Sequence, residues 1–175
     1  MRAPTILLLT LFGLAALGAN AQDQVIYDDA LASGYQNWSW ATVDFAVQAP
    51  APVQAGTRAI SMEPDGFQGL YIHANAPINP ASHASLRFFV HGGTSGGQNV
   101  SLVLQSGQTI ILQRPLAELT TGGAILAGQW REVVVPFSGA GAPAGAFDGI
   151  IVQDQSGGNQ GVLYLDSIRL AGTGA

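Results

Sequence analysis

Short segments in which apolar and polar residues alternate recur along the chain. In one of them Val100, Leu102 and Leu104 fall on one side, with Ser101 and Gln105 on the other. A period of two places neighbouring side chains on opposite faces of a strand, so one face of each such strand is expected to be buried. The strands predicted in this way are 24–28, 37–45, 57–63, 68–74, 85–91, 99–105, 108–113, 129–137, 149–153 and 162–170.

These predicted strands define the fold class. No segment sustains a helical period, and the best helical candidate, 116–119, is too short to matter. Many short strands with one apolar face each must pack two sheets together to hide those faces from water. We therefore predict an all-β domain, a two-sheet antiparallel β-sandwich of the jelly-roll type. The 23 glycines fit turns between many strands.

The first 21 residues have the layout of a cleavable signal peptide. Arg2 precedes an apolar run over 6–17, and an Ala-Asn-Ala triplet ends at Ala21. The run is shorter than the roughly 20 residues that a membrane-spanning helix needs. We expect cleavage after Ala21, export to the extracellular space or the periplasm, a sandwich domain over 22–170 and a flexible tail over 171–175.

Charge and cysteine content narrow the possible partners. The chain has six Arg and no Lys against eleven acidic residues, a formal net charge of −5. An acidic surface repels phosphate backbones and anionic lipids, so nucleic acid is not an expected partner. There is no cysteine, which removes disulfides, thiol catalysis and thiolate metal sites. The apolar core must therefore carry the stability, helped at most by a bound ion.

The segment 35–40, Tyr-Gln-Asn-Trp-Ser-Trp, is the first candidate site. In an extended chain Trp38 and Trp40 point to the same side. Two indoles on one side form either a large piece of core, the usual environment of Trp, or a platform on which sugar rings stack. Tyr35 follows a glycine in an expected loop, and Gln36 offers an amide to sugar hydroxyls. We therefore include Tyr35, Gln36 and Trp38 in a candidate ligand site.

A second set of aromatic residues surrounds the fourth predicted strand. If Leu70 and Ile72 face the core, Phe67, Tyr71 and His73 face the other way. An aromatic row on the outer side of a sandwich indicates a surface that something covers or binds. We include Phe67 and Tyr71 in the candidate ligand site. The alternative is that a loop covers the row or that the opposite face of the strand is the buried one.

Three carboxylates are candidates for a metal site. Asp28 and Asp29 end the first predicted strand, and Asp166 lies in the last. First and last strands are often neighbours in a sandwich, and carboxylates that meet there repel each other unless a cation neutralises them. Calcium takes about six to eight oxygen ligands, which Asp side chains, carbonyls and waters can supply. We predict a structural calcium at these residues; the alternative is that they serve turns or solvated charge.

Trp130 opens the strand 129–137, either as a lid on the core or as a further ligand-binding residue. Glu132 follows it on the same strand face, which would put an acid in a groove. A glycosidase needs two carboxylates that flank the bond. The chain has no recognisable motif of that kind, no Gly-x-Ser-x-Gly elbow and no His-Glu-x-x-His pair. We therefore expect no catalytic site, and a small polysaccharide-degrading enzyme is the least favoured alternative.

Four segments carry recognisable motifs: Val25–Leu31 (VIYDDAL), Gly34–Trp40 (GYQNWSW), Gly128–Phe137 (GQWREVVVPF) and Leu163–Leu170 (LYLDSIRL). Together they resemble secreted jelly-roll domains related to carbohydrate-binding modules. The last of them resembles the final strand of many such modules, with the pattern aromatic–apolar–Asp–x–Ile–x–Leu. The resemblance spans nearly the whole chain after residue 21. Because its motifs are structural, it supports the predicted fold more strongly than the identity of the ligand.

The resemblance implies a sugar ligand, on a concave sheet face or in loops at the sandwich edge, and a structural calcium near the first and last strands. Tyr35 departs from the pattern, because Trp is frequent at that position. Such modules are usually fused to an enzyme. We expect a non-catalytic protein that binds a poly- or oligosaccharide by aromatic stacking. The alternative is an extracellular structural or adhesion domain with a protein partner.

Calcium is expected to raise the thermal stability of the protein. A ligand that binds only the folded state stabilises it by about 2.7 kcal/mol when present at about a hundred times its Kd. Thermal unfolding with calcium and then with a chelator measures the effect. A melting temperature that does not change on chelation would refute the ion site.

Overall fold

The computed structural model describes residues 22–174. The predicted signal peptide lies outside the described residues, as does the last residue of the predicted tail. Within 22–174 no helix is both long and apolar enough to cross a membrane. The described chain consists mainly of short strands, with one helical turn and one 3-10 turn.

The strands follow one another at short intervals, and both helical elements are single turns. The 3-10 turn is Pro80–Ser82 and the helix α1 is Leu116–Leu119. The strands are β1 Gln24–Tyr27, β2 Tyr35–Asn37, β3 Thr42–Val47, β4 Ala59–Glu63, β5 Gly69–Ile78, β6 Ser85–His91, β7 Val100–Ser106, β8 Thr109–Pro115, β9 Trp130–Pro136, β10 Phe147–Asp154 and β11 Leu163–Ala171.

The strands pair antiparallel in two sheets. The six-stranded sheet has the order β3-β4-β11-β6-β9, with β1 also paired to β11, and the five-stranded sheet has the order β2-β5-β10-β7-β8. One cluster of buried side chains joins them, with Ile60 and Phe88 from the first sheet and Leu102 and Ile150 from the second. The antiparallel β-sandwich is therefore confirmed.

The alternation of apolar and polar residues correctly predicts which face of β5 is buried. Leu70 and Ile72 are almost completely inaccessible and belong to the main core. Tyr71, between them, belongs to a separate small cluster with Val103 and Ile151. The five-stranded sheet therefore carries apolar side chains on both faces, one against the core and one on its outer side.

The predicted strand 37–45 is divided between the two sheets. β2 ends at Asn37 in the five-stranded sheet, and β3 starts at Thr42 in the six-stranded sheet. The chain crosses from one sheet to the other over 38–41, which we call the crossing segment. The other predicted strands match β1 and β4 to β11 to within a few residues, and the short helical candidate is α1.

Candidate functional site

Aromatic side chains gather on the outer face of the five-stranded sheet, the face turned away from the core. We call this surface the aromatic platform. Its members are linked by ring contacts or hydrogen bonds, and they come from β2, the crossing segment, the loop before β5, and β5, β7 and β10. They are Gln36, Trp38, Trp40, Phe67, Tyr71, His73, Gln105 and Gln153.

The crossing segment brings both tryptophans onto the platform. The main-chain amides of Trp38 and Trp40 donate to the carbonyls of Tyr71 (2.8 Å) and Gly69 (3.0 Å), so the segment runs beside β5 after β2 ends. Both indoles meet the Tyr71 ring edge-on, at centroid distances of 5.6 and 6.5 Å. The prediction that the two tryptophans share a side is confirmed.

His73 supports the indole of Trp38. The two rings are nearly parallel, at 11°, with centroids 3.6 Å apart. The Nε1 of Trp38 donates to Oε1 of Gln36 at 3.0 Å, and Gln36 in turn donates to Asn75. Trp38 is still half exposed, at 50%. His73 thus covers one face of the indole, and the residue as a whole keeps enough exposed surface to contact a ligand.

Tyr71 is the central support of the platform. It packs on Val103 and Ile151, and only 8% of it is exposed. Its hydroxyl accepts a hydrogen bond from Nε2 of Gln105 at 3.1 Å. The predicted outward orientation is confirmed, but most of the ring is covered by its neighbours. Tyr71 therefore positions the two indoles more than it offers surface of its own.

Trp40 lies across the backbone of β5 at Gly69. A Cβ atom at Gly69 would come within 2.8 Å of the indole atoms Cη2 and Cζ2, so the ring can take this position only over a glycine. The Nε1 of Trp40 donates to the Phe67 carbonyl at 3.2 Å, which also accepts from Gln153 at 3.0 Å. Trp40 and Phe67 both remain well exposed and extend the apolar surface.

A buried carboxylate holds the end of the platform at Phe67. Asp154 ends β10 and accepts hydrogen bonds from the main-chain amides of Phe67 (2.8 Å), Ser156 (2.9 Å) and Gly157 (2.8 Å). Burial by itself raises the pKa of this carboxyl, but the hydrogen bonds outweigh it and lower the pKa to about 2. Phe67 has a φ of 64°, a left-handed conformation that the bond to its amide helps to hold.

Two of the six predicted ligand residues lie away from the platform. The Tyr35 ring packs against the core, because Tyr35 pairs with Ala74 on the inward side of β2, and its hydroxyl accepts from Gln24. Trp130 lies on β9 in the other sheet, with its ring 5.2 Å from that of His91. The structure brings together the remaining four, Gln36, Trp38, Phe67 and Tyr71.

Two of the three predicted calcium ligands hold the loop 54–58. Asp29 accepts from two adjacent main-chain amides of this loop, at 2.6 and 2.8 Å, and these bonds lower its pKa. Asp166, fully buried, accepts from two others at 2.8 and 3.2 Å, and burial raises its pKa. These donors use part of the acceptor capacity of the two carboxylates. Among residues 22–174 no three His, Asp or Glu side chains are grouped as a metal site. Calcium at Asp28, Asp29 and Asp166 stays a prediction.

Glu132, which the sequence suggested as an acidic residue in a groove, forms ion pairs. Its Oε1 lies 3.1 Å from Arg87 and 3.7 Å from Arg169. These residues belong to β9, β6 and β11 of the six-stranded sheet, on the side of the sandwich away from the platform. The contacts give Glu132 a role in joining neighbouring strands.

Four platform residues are absent from the predicted ligand set. Trp40 follows Trp38 by two residues, and His73 follows Tyr71 by two. The alternation alone therefore indicates that each lies on the same side as its partner. Gln105 and Gln153 reach the platform only because β10 pairs with both β5 and β7. That pairing joins residues far apart in the chain, and no local pattern reports it.

Solved structures identify the architecture. A family 29 carbohydrate-binding module variant complexed with cellulohexaose is 17% identical, with a TM-score of 0.56, over 87% of this chain and 92% of that one. Another variant, complexed with mannohexaose, is 16% identical, with a TM-score of 0.54, over 85% and 90%. The chain is therefore a β-sandwich domain with the fold of a carbohydrate-binding module.

The sequence also resembles a protein of known activity. It is 25% identical over 144 residues to an endoglucanase of Dictyostelium discoideum, covering 82% of this chain. The matched part is 20% of that enzyme, so this chain spans about a fifth of the relative. No protein-family model matches the chain.

Replacing Asp154 with Asn is expected to lower the free energy of unfolding at neutral pH by about 2 kcal/mol, because buried amides lose a charged acceptor. Folding lowers the pKa of this carboxyl from 3.8 to about 2. Its stabilising contribution is therefore complete above the unfolded value and is lost as the pH falls through about 2. Urea denaturation at a series of pH values between about 5 and 2 measures both effects.

Asp65→Asn is the control for this experiment, since it removes a nearby carboxylate without removing these hydrogen bonds. The wild-type protein should lose stability more steeply with falling pH than Asp154→Asn. Equal slopes for the two proteins would show that Asp154 does not carry this acid dependence.

Proposed function

We propose that the aromatic platform binds a poly- or oligosaccharide and catalyses no reaction on it. The observation that carries the proposal is the half-exposed indole of Trp38, which stacks on His73. We also propose that the protein is exported before it meets this ligand, in keeping with the apolar segment at its start.

The surface chemistry of the platform suits a sugar. Pyranose rings present C–H faces that pack on aromatic rings, and Trp38, Trp40 and Phe67 offer such rings to solvent. Sugar hydroxyls need donors and acceptors, which the amides of Gln105 and Gln153 can supply. Ligand sites are lined mostly by apolar and aromatic side chains with a small number of placed polar groups, and the platform has this composition.

The similar proteins support this proposal. Two modules with the same fold are described in complex with cellulohexaose and with mannohexaose. The relative in Dictyostelium is an endoglucanase, of which this chain matches a fifth. We infer a similar ligand class here, a chain of neutral hexoses.

Replacement of Trp38 by Ala is expected to weaken binding to an insoluble glucan or mannan by about 2 kcal/mol, roughly 30-fold, because a central stacking ring is lost. Trp38→Phe keeps a smaller ring and should bind with an intermediate affinity. Depletion assays with the purified variants measure the affinity, and circular dichroism checks that each variant is folded.

Tyr35→Phe is the matched control, because it alters an aromatic residue that lies off the platform. It should bind as the wild-type protein does. Wild-type retention that survives in folded Trp38→Ala would remove the platform as the binding surface. Attachment to a cell-surface extract that no sugar competes with would instead favour the alternative, an adhesion domain with a protein partner.

Binding is also expected to be selective for neutral polymers. The platform side chains carry no Asp, Glu or Arg, and the chain has a net charge of −5, so an anionic polymer would meet repulsion without a counter-ion. Retention on neutral glucan or mannan should change less than about twofold between low and high salt. Tight, salt-sensitive binding to polygalacturonate would contradict this prediction.

A further inference from the structure

A second row of aromatic rings lies on the other sheet. Trp130 on β9, His91 on β6 and Tyr164 on β11 pair side by side in register. The His91 centroid is 5.2 Å from that of Trp130 and 5.9 Å from that of Tyr164. Their neighbours Val90 and Leu165 face the core, so the row lies on the outer face of the six-stranded sheet. This is the opposite side of the sandwich from the platform.

A cleft of about 680 Å³ adjoins this row. The volume lies within the range of about 300–1,000 Å³ that is usual for small-molecule sites. None of its lining residues carries a formal charge. The side chains that matter here are His91 and Tyr164 of the row, with Pro50, Pro52, Thr94 and Val162 around them.

The loops that form the cleft are held in place by hydrogen bonds. Buried Asp166 accepts from the amides of Gln54 and Ala55, which fixes the chain just after the two prolines. Across the cleft, the amide of Gly128 donates to the carbonyl of Gly93 at 2.8 Å. The cleft is therefore formed before any ligand arrives, which reduces the entropy lost on binding.

His91 is held as an uncharged aromatic ring. Its Nδ1 accepts a hydrogen bond from the amide of Gly93 at 3.0 Å, and burial lowers its pKa. A neutral imidazole beside the two larger rings makes the row a continuous aromatic surface without a charge. Trp130 and Tyr164 remain partly exposed, so this surface is accessible.

We propose that this cleft is a second carbohydrate site, which takes one or two neutral pyranose rings independently of the platform. The C–H face of a sugar would pack on Tyr164, with Trp130 at the end of the row and the prolines as further apolar surface. Its hydroxyls would bond to the exposed Thr94 side chain and to loop main-chain groups. A charged ligand would find no counter-ion among the lining residues.

Because the chain has three tryptophans, ligand binding at the two sites can be measured separately by fluorescence. In the double variant Trp38→Phe/Trp40→Phe, Trp130 is the one tryptophan left, and its emission reports on the cleft through the neighbouring ring of His91, which lines it. Titration with cellobiose and with mannobiose should change this emission to saturation, with a Kd on the order of 1 mM. Adding Ala127→Phe, which fills the cleft from an exposed position, should weaken binding by at least about tenfold.

Circular dichroism confirms that each variant is folded, so a loss of binding is not a loss of structure. An unchanged Trp130 emission up to about 50 mM of either sugar would overturn the proposal. So would a saturating change that persists in the Ala127→Phe variant, because the sugar would then lie outside the cleft. Polysaccharide retention lost in Trp38→Ala tests the platform alone, so either site can fail without the other.

Discussion

The platform depends on the alternation that buries one face of the five-stranded sheet. Leu70 and Ile72 point into the core, so Tyr71 between them must point outwards. There it meets Ile151, its in-register neighbour on β10, and Val103 on β7 beyond it. These contacts fix the ring against which both indoles rest edge-on. The sandwich interior thus determines the outer surface as well, through a side chain that is not part of the main core.

The hydrogen bonds of the indoles decide how they can recognise a ligand. The Nε1 of Trp38 is engaged by Gln36, and that of Trp40 by the carbonyl of Phe67. The indoles can therefore contact a ligand through their ring faces, while their N–H groups are already hydrogen-bonded within the protein. Because the rings are already held, little rotamer freedom is lost when a sugar stacks on them. Orientation and specificity must come from the glutamine amides beside them.

Local patterns predicted the sheets well because one buried face per strand leaves a period of two in the sequence. They failed where long-range pairing decides the outcome. The segment 37–45 reads as one strand, yet the amides of Trp38 and Trp40 bond to β5 before the chain enters the other sheet. Tyr35 and Trp130 are aromatic like Trp38, but strand pairing turns the Tyr35 ring towards the core and places Trp130 on the other sheet. The sequence shows which residues are aromatic, whereas the register of strand pairing determines on which surface each ring lies.

A domain without cysteine must hold its loops by other means, and here carboxylates do so. Asp154 and Asp166 are both fully buried and both accept main-chain hydrogen bonds, yet their pKa values move in opposite directions. Around Asp154 the donors outweigh burial, so its ionised form stabilises the fold. Around Asp166 burial, with Asp28 nearby, outweighs the donors. Ionised Asp166 therefore costs stability that is regained as the pH falls through its raised pKa. We therefore expect these two carboxylates, one beside the platform and the other beside the cleft, to contribute in opposite senses to the pH dependence of the folding free energy.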